Sequence, residues 1–139
     1  MISFNVQKKG FSLINSIQKK EWLKKSIQIE GKVTGEINFV FCDDDYLVKI
    51  NYKYLKHNTL TDIITFPNSN SSSVISGDIY ISIDRVNENA IGLNIKFETE
   101  LARVLIHGVL HLVGYNDHSN EEKRQMRSKE DYYLNLQLD

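Results

Sequence analysis

The residues with the most evident chemical potential are His107, His111 and His118, three of the four histidines in the chain. His107 and His111 stand four apart inside the apolar run from Val104 to Val113. In a helix that spacing puts both imidazoles on one face, one turn apart. Gly114 follows and permits a turn with positive φ that brings His118 back toward the pair. Two merely structural histidines would each need a buried partner, because an unpaired buried imidazole costs roughly 1–3 kcal/mol. One shared divalent cation satisfies both. The pattern predicts a three-histidine metal site with an open position, the form that catalytic zinc sites take. Zn²⁺ suits such ligands best, although Ni²⁺, Cu²⁺ and Fe²⁺ accept the same ligand type. Three neutral ligands leave the site at +2, which draws the pKa of bound water toward ~7. The expected chemistry is metal-assisted hydrolysis.

Two neighbours bear on the substrate. The metallopeptidase pattern H-E-x-x-H sets a glutamate beside its first histidine as general base. Here that position is Gly108, so hydrolysis of a peptide or small molecule lacks its proton acceptor. Asp117 is the nearest carboxylate in sequence. It is suited to be a base, a partner that orients a histidine, a fourth ligand, or an ordinary turn carboxylate.

The elements that must position these residues follow from periodicity. Ile2, Phe4 and Val6 alternate as in a strand, and Phe11 to Lys25 carries Phe11, Ile14, Ile17 and Trp22 or Leu23 at helical spacing. Lys19, Lys20, Lys24 and Lys25 load the far end of that helix, where the macrodipole favours cations. Glu36 to Phe41 reads as a strand. Asp43, Asp44 and Asp45 then suit the start of a helix that carries Tyr46, Leu47, Ile50 and Tyr54. Asp62 to Phe66 reads as a strand, residues 68–76 as a serine-rich loop, and Gly77-Asp78 as the opening of a strand through Ile83. A short helix spans Asp84 to Ala90, and a long, largely buried one spans Phe97 to Val113. Ser119 and Glu122 form a capping box for a last helix running toward Leu136. The fold expected is α+β or mixed α/β. It is a single domain over residues 1–139, with about four strands in a mixed sheet packed with helices.

Composition bounds the function classes. A net charge of −1 excludes a uniformly basic nucleic-acid binder, though not a local basic face. Lys8, Lys9, Lys19, Lys20, Lys24 and Lys25 gather near the first helix, and Lys49, Lys53 and Lys56 fall at i, i+4 and i+7 on the second. Either set could track phosphates or be a solvated face. Cys42 is the only cysteine, which fits a reducing compartment. Neither a signal peptide nor an apolar span of membrane length is evident, so a cytoplasmic protein is expected.

The segment His107, Gly108, Leu110, His111, Leu112, Gly114, Tyr115, Asp117, His118 resembles the signature of the YbeY family, H-G-x-L-H-L-x-G-Y-D-H. Asn51, Tyr54, Thr61 to Pro67, Gly77-Asp78-Ile79 and Glu100-Leu101 extend the likeness over most of the chain. The resemblance implies a bacterial, metal-dependent endoribonuclease acting on single-stranded RNA. It further implies roles in ribosomal RNA maturation, at the 16S 3′ end, and in ribosome quality control, with ribosomal or small-subunit proteins as partners. His107, His111 and His118 would hold the ion, Asp117 would orient or deprotonate the nucleophile, Asp62 would position water or substrate, and Lys56 or His57 would partly replace a missing arginine. Three departures stand out. Asn116 reads as one extra residue, which leaves open whether His118 or Asp117 faces the ion. The family's arginine after the tyrosine is Leu55 here, and Leu60 stands for its proline. An aliphatic side chain cannot pair with phosphate. A second class of reading is therefore a ribosome-associated assembly factor with weak cleavage.

Overall fold

β-Branched and aromatic residues at every second position build a four-stranded sheet in the order β1-β2-β4-β3. The computed structural model describes residues 1–56, 60–69 and 71–137. β1 (Ile2–Val6), β2 (Val33–Cys42) and β4 (Val74–Ser82) run parallel, and β3 (Ile63–Pro67) is antiparallel to β4 at the edge. α1 (Ser16–Ile29) makes the crossover that the parallel pair β1–β2 requires. α2 (Asp44–Leu55) follows β2, and α3 (Ile83–Leu93), α4 (Phe97–Val113) and α5 (Asn120–Gln137) complete the chain. This is the expected α+β fold with a mixed four-stranded sheet and the histidine helix at Phe97–Val113.

The two sheet faces are covered differently. Ile37, Phe39, Phe41, Ile79 and Ile81 point to one face and form the main core with Trp22, Leu23 and Ile27 of α1 and Leu101, Leu105 and Val109 of α4. Ile64, Phe66 and Tyr80, alternate in register, join Cys42, Leu47 and Ile50 under α2. Gly77 allows the edge to close. A Cβ there would lie 2.5 Å from the Phe66 carbonyl oxygen and 2.8 Å from Leu112 Cδ2. Among the described residues, no helix is long and apolar enough to cross a membrane.

Several boundaries differ from the periodicity. α1 starts at Ser16, not Phe11, and runs to Ile29. Ile14 and Ile17 are 53% and 69% exposed, so they do not share a buried face; that face is Lys19, Trp22, Leu23, Ser26 and Ile27. The lysines therefore do not load the last turn, and Lys19 is buried, its ammonium 2.7 Å from the Ile14 carbonyl oxygen and 2.9 Å from Glu98. Val74 and Ile75 pair with Val33 and Thr34, so both β2 and β4 begin earlier than expected and the serine-rich loop is shorter. α3 extends to Leu93, where Asn94 ends it in the left-handed conformation.

Candidate metal centre

α4 is apolar because it lies on the sheet, and Gly108 is what lets it lie close. A Cβ there would come within 2.9 Å of Ile63 Cδ1 and 3.1 Å of Ile79. The position thus faces the sheet, and a glutamate there would be buried beneath β3 and β4 rather than aimed at a substrate. His107 and His111 leave α4 on another side. Their Nε2 atoms face one another at 3.0 Å.

Each ring is fixed from behind. His107 Nδ1 meets Glu130 Oε2 of α5 at 2.7 Å, and His111 Nδ1 lies 3.0 Å from the Tyr115 carbonyl oxygen. Both partners are acceptors, so both Nδ1 atoms carry hydrogen and both Nε2 atoms keep their lone pairs. Two lone pairs at that distance require a cation between them or a proton on one ring. Glu130 is itself held by Arg103, whose Nη1 lies 2.9 Å from Oε1.

Gly114, with φ 125°, ends α4, and the amides of Gly114 and Tyr115 close the last turn on the Leu110 and His111 carbonyls. The chain turns back and sets Asp117 Oδ2 3.4 Å from His107 Nε2 and 3.5 Å from His111 Nε2. Donors sharing one tetrahedral zinc ion are about 3.3 Å apart, given bonds of about 2.0–2.1 Å. The side chains present therefore fit a divalent ion. The three whose donor atoms lie together are His107, His111 and Asp117. His118 is exposed, lines the same cleft and is not one of that trio.

The cleft holds about 600 Å³ and runs from the histidines along β3, with Asn51, Leu55, Thr61 and Asn116 among its walls. Asp62 stands between it and a smaller cavity of about 270 Å³ that holds Glu100, Arg103 and Arg127. Burial pushes the Asp62 carboxyl upward, against the attraction of His107, and Glu130 and Asp117 add to the rise. Burial and then Asp62 also push Glu100 up; it is 5% exposed, and its Oε1 has no hydrogen-bond partner among the described residues. Burial lowers the affinity of His107 for a proton, but the bond to Glu130 and the charges of Glu130, Asp117 and Asp62 leave it raised. Burial and the adjacent His107 leave His111 lowered.

Lys56 caps α2 with φ 59°, its ammonium 5.8 Å from the Tyr52 ring, and it does not line the cleft; Leu55 does. His57 lies outside the described residues. The Cys42 thiol is buried and pushed up to about 12, chiefly by burial, which removes it as a nucleophile. Periodicity did not single out Glu130, Arg103 or Asn51 as parts of the site.

A family model described as Endoribonuclease YbeY matches residues 2–137. A protein of Flavobacterium johnsoniae named endoribonuclease YbeY is 52% identical over 131 residues, 94% of this chain and 93% of its own. One of Amoebophilus asiaticus with the same name is 46% identical over 133 residues, 96% of this chain and 90% of its own. The solution structure of a Thermotoga maritima protein superposes with a TM-score of 0.68 at 32% identity, over 96% of this chain and 87% of its own. A match that spans nearly every described residue, together with a histidine pair and carboxylate gathered in the cleft, leads to one conclusion: the chain belongs to the endoribonuclease YbeY family of enzymes.

Proposed function

We propose that this chain is one zinc-dependent catalytic domain that hydrolyses phosphodiesters of single-stranded ribosomal RNA in the cytoplasm, in rRNA maturation and ribosome quality control. The observation that carries the reading is the convergence of two imidazole nitrogens and a carboxylate oxygen in an open cleft. His107 and His111 hold the ion, with a third donor from the Asp117-His118 segment. When bound, the ion supplies electrophilic stabilisation of a phosphoryl oxygen and makes water more acidic near neutral pH. Glu130 and the Tyr115 carbonyl keep both Nε2 atoms aimed at the centre. Asp62, which keeps its proton more readily than a solvated aspartate, positions water or a phosphate oxygen at the cleft wall. Lys49 and Lys53, exposed on α2, and Lys56 at its end offer charge for the RNA backbone.

The test uses purified protein and a single-stranded ribosomal RNA fragment. A chelator should abolish cleavage and added Zn²⁺ restore it, and His107→Ala with His111→Ala should remove bound metal and cleavage together. Cleavage that persists in fully metal-free protein overturns the proposal. Lost cleavage with metal fully retained overturns the ligand role of the pair.

One observation favours a second reading. Leu55 lines the cleft at the place where the family pattern carries arginine, and among the described residues no guanidinium lines that cleft. A ribosome-assembly factor with weak cleavage would tolerate this. Co-sedimentation with small ribosomal subunits, alongside turnover no faster than the His107→Ala background, would select it.

A further inference from the structure

We infer that the third protein donor of this chain's metal centre is the Asp117 carboxylate rather than the His118 imidazole. The centre is then a two-histidine, one-carboxylate set open to harder divalent ions. The inference rests on the reading of the cleft as a metal site and adds the identity of its third ligand.

The geometry separates two adjacent residues. Asp117 Oδ2 is nearly equidistant from the two facing Nε2 atoms, at 3.4 and 3.5 Å. No other His, Cys, Asp or Glu among the described residues joins that group, and His118, its immediate neighbour, stays exposed on the cleft wall. The Nδ1 atoms of His107 and His111 are already engaged, so the pair offers two nitrogen donors and no more. The turn after Gly114 delivers an oxygen to them.

The donor type has chemical consequences. A carboxylate lowers the net charge of a divalent centre from +2 to +1. It also replaces a borderline nitrogen with a hard oxygen. Two imidazoles with one carboxylate on one side of an ion leave positions open and suit Mn²⁺ and Fe²⁺ as well as Zn²⁺. A three-imidazole set leans toward Zn²⁺ and Cu²⁺ instead.

The test titrates full-length, metal-free protein with Co²⁺, read by its visible absorption, and with Zn²⁺ and Mn²⁺ by calorimetry. Asp117→Asn should weaken Co²⁺ and Zn²⁺ binding by at least ~100-fold, more than loss of an outer partner costs, and abolish Mn²⁺ binding. His118→Ala should change all three by less than about threefold. Asp117→His should recover Zn²⁺ binding with a shifted Co²⁺ spectrum and without Mn²⁺. If Asp117→Asn fails to fold, as judged by circular dichroism, the spectrum of Asp117→Glu and the response of His118→Ala decide. Binding lost in His118→Ala and kept in Asp117→Asn overturns the assignment while leaving the metal reading standing. Equal losses in the two variants overturn it as well. No Co²⁺ binding by the unsubstituted protein overturns both.

Discussion

His107 and His111 owe their common aim to groups behind them, and the main prediction at the residue scale concerns Glu130. Glu130→Gln replaces a charged hydrogen bond to Nδ1 with a neutral one and loosens the link to Arg103. Zinc affinity should fall by about 10–100-fold, measured by competition with a chromophoric chelator; an unchanged affinity would remove Glu130 from the support of the site. The histidines were legible because i, i+4 is a local relation that any helix converts into a shared face. Glu130 was not, because α5 also carries Glu121, Glu122 and Asp131, and only packing against α4 tells them apart. Asp117 and His118 could not be separated in sequence either. Their directions depend on the turn that begins at Gly114, and residue spacing does not specify it.

At the scale of elements, caps and close approaches carry the testable content. Ser119 and Glu122 form the reciprocal box expected, with bonds of 2.9 and 3.1 Å. Ser119→Ala should cost about 0.5–2 kcal/mol, seen as a lower denaturant midpoint. Gly77→Ala meets a backbone oxygen and should destabilise by about 1–3 kcal/mol. Gly108→Ala meets isoleucine side chains of β3 and β4 rather than backbone and should cost less, so the ordering of the two midpoints checks the packing of α4 on β3 and β4.

Glu30, just beyond α1, accepts hydrogen bonds from Tyr115, at 2.6 Å, and from Tyr133, and pairs with Lys129. Burial alone would push its carboxyl up, but these partners hold it below the ordinary 4.5. Its stabilising contribution is therefore complete above about pH 4.5 and is lost as pH falls through the lowered value. Thermal midpoints of the unsubstituted protein should drop more steeply below that pH than those of Glu30→Gln. α4 was legible end to end because it is buried and strongly periodic. α1 was not, because Phe11, Ile14 and Ile17 mimic a stripe while the true one includes a lysine neutralised by Glu98.

For the whole molecule, a net charge of −1 gives little long-range attraction for RNA, so affinity must come from local charge. Lys49→Ala and Lys53→Ala should each reduce the slope of log affinity against log salt by about 1 if α2 tracks the backbone; unchanged slopes would return these lysines to an ordinary solvated face. Zinc at about a hundredfold over its dissociation constant should raise folding stability by about 2.7 kcal/mol through mass action, read as a higher thermal midpoint.

The position of β3 carries one more consequence. One edge of it bonds to β4, and the other has no strand beside it among the described residues. Consecutive residues from Thr61 to Thr65 border the cleft, so peptide groups as well as side chains form that wall. Peptide N–H groups that bond to phosphate oxygens position a strand but carry no sequence information. For the proposed reaction, such contacts would hold a flexible, unpaired polynucleotide by its backbone.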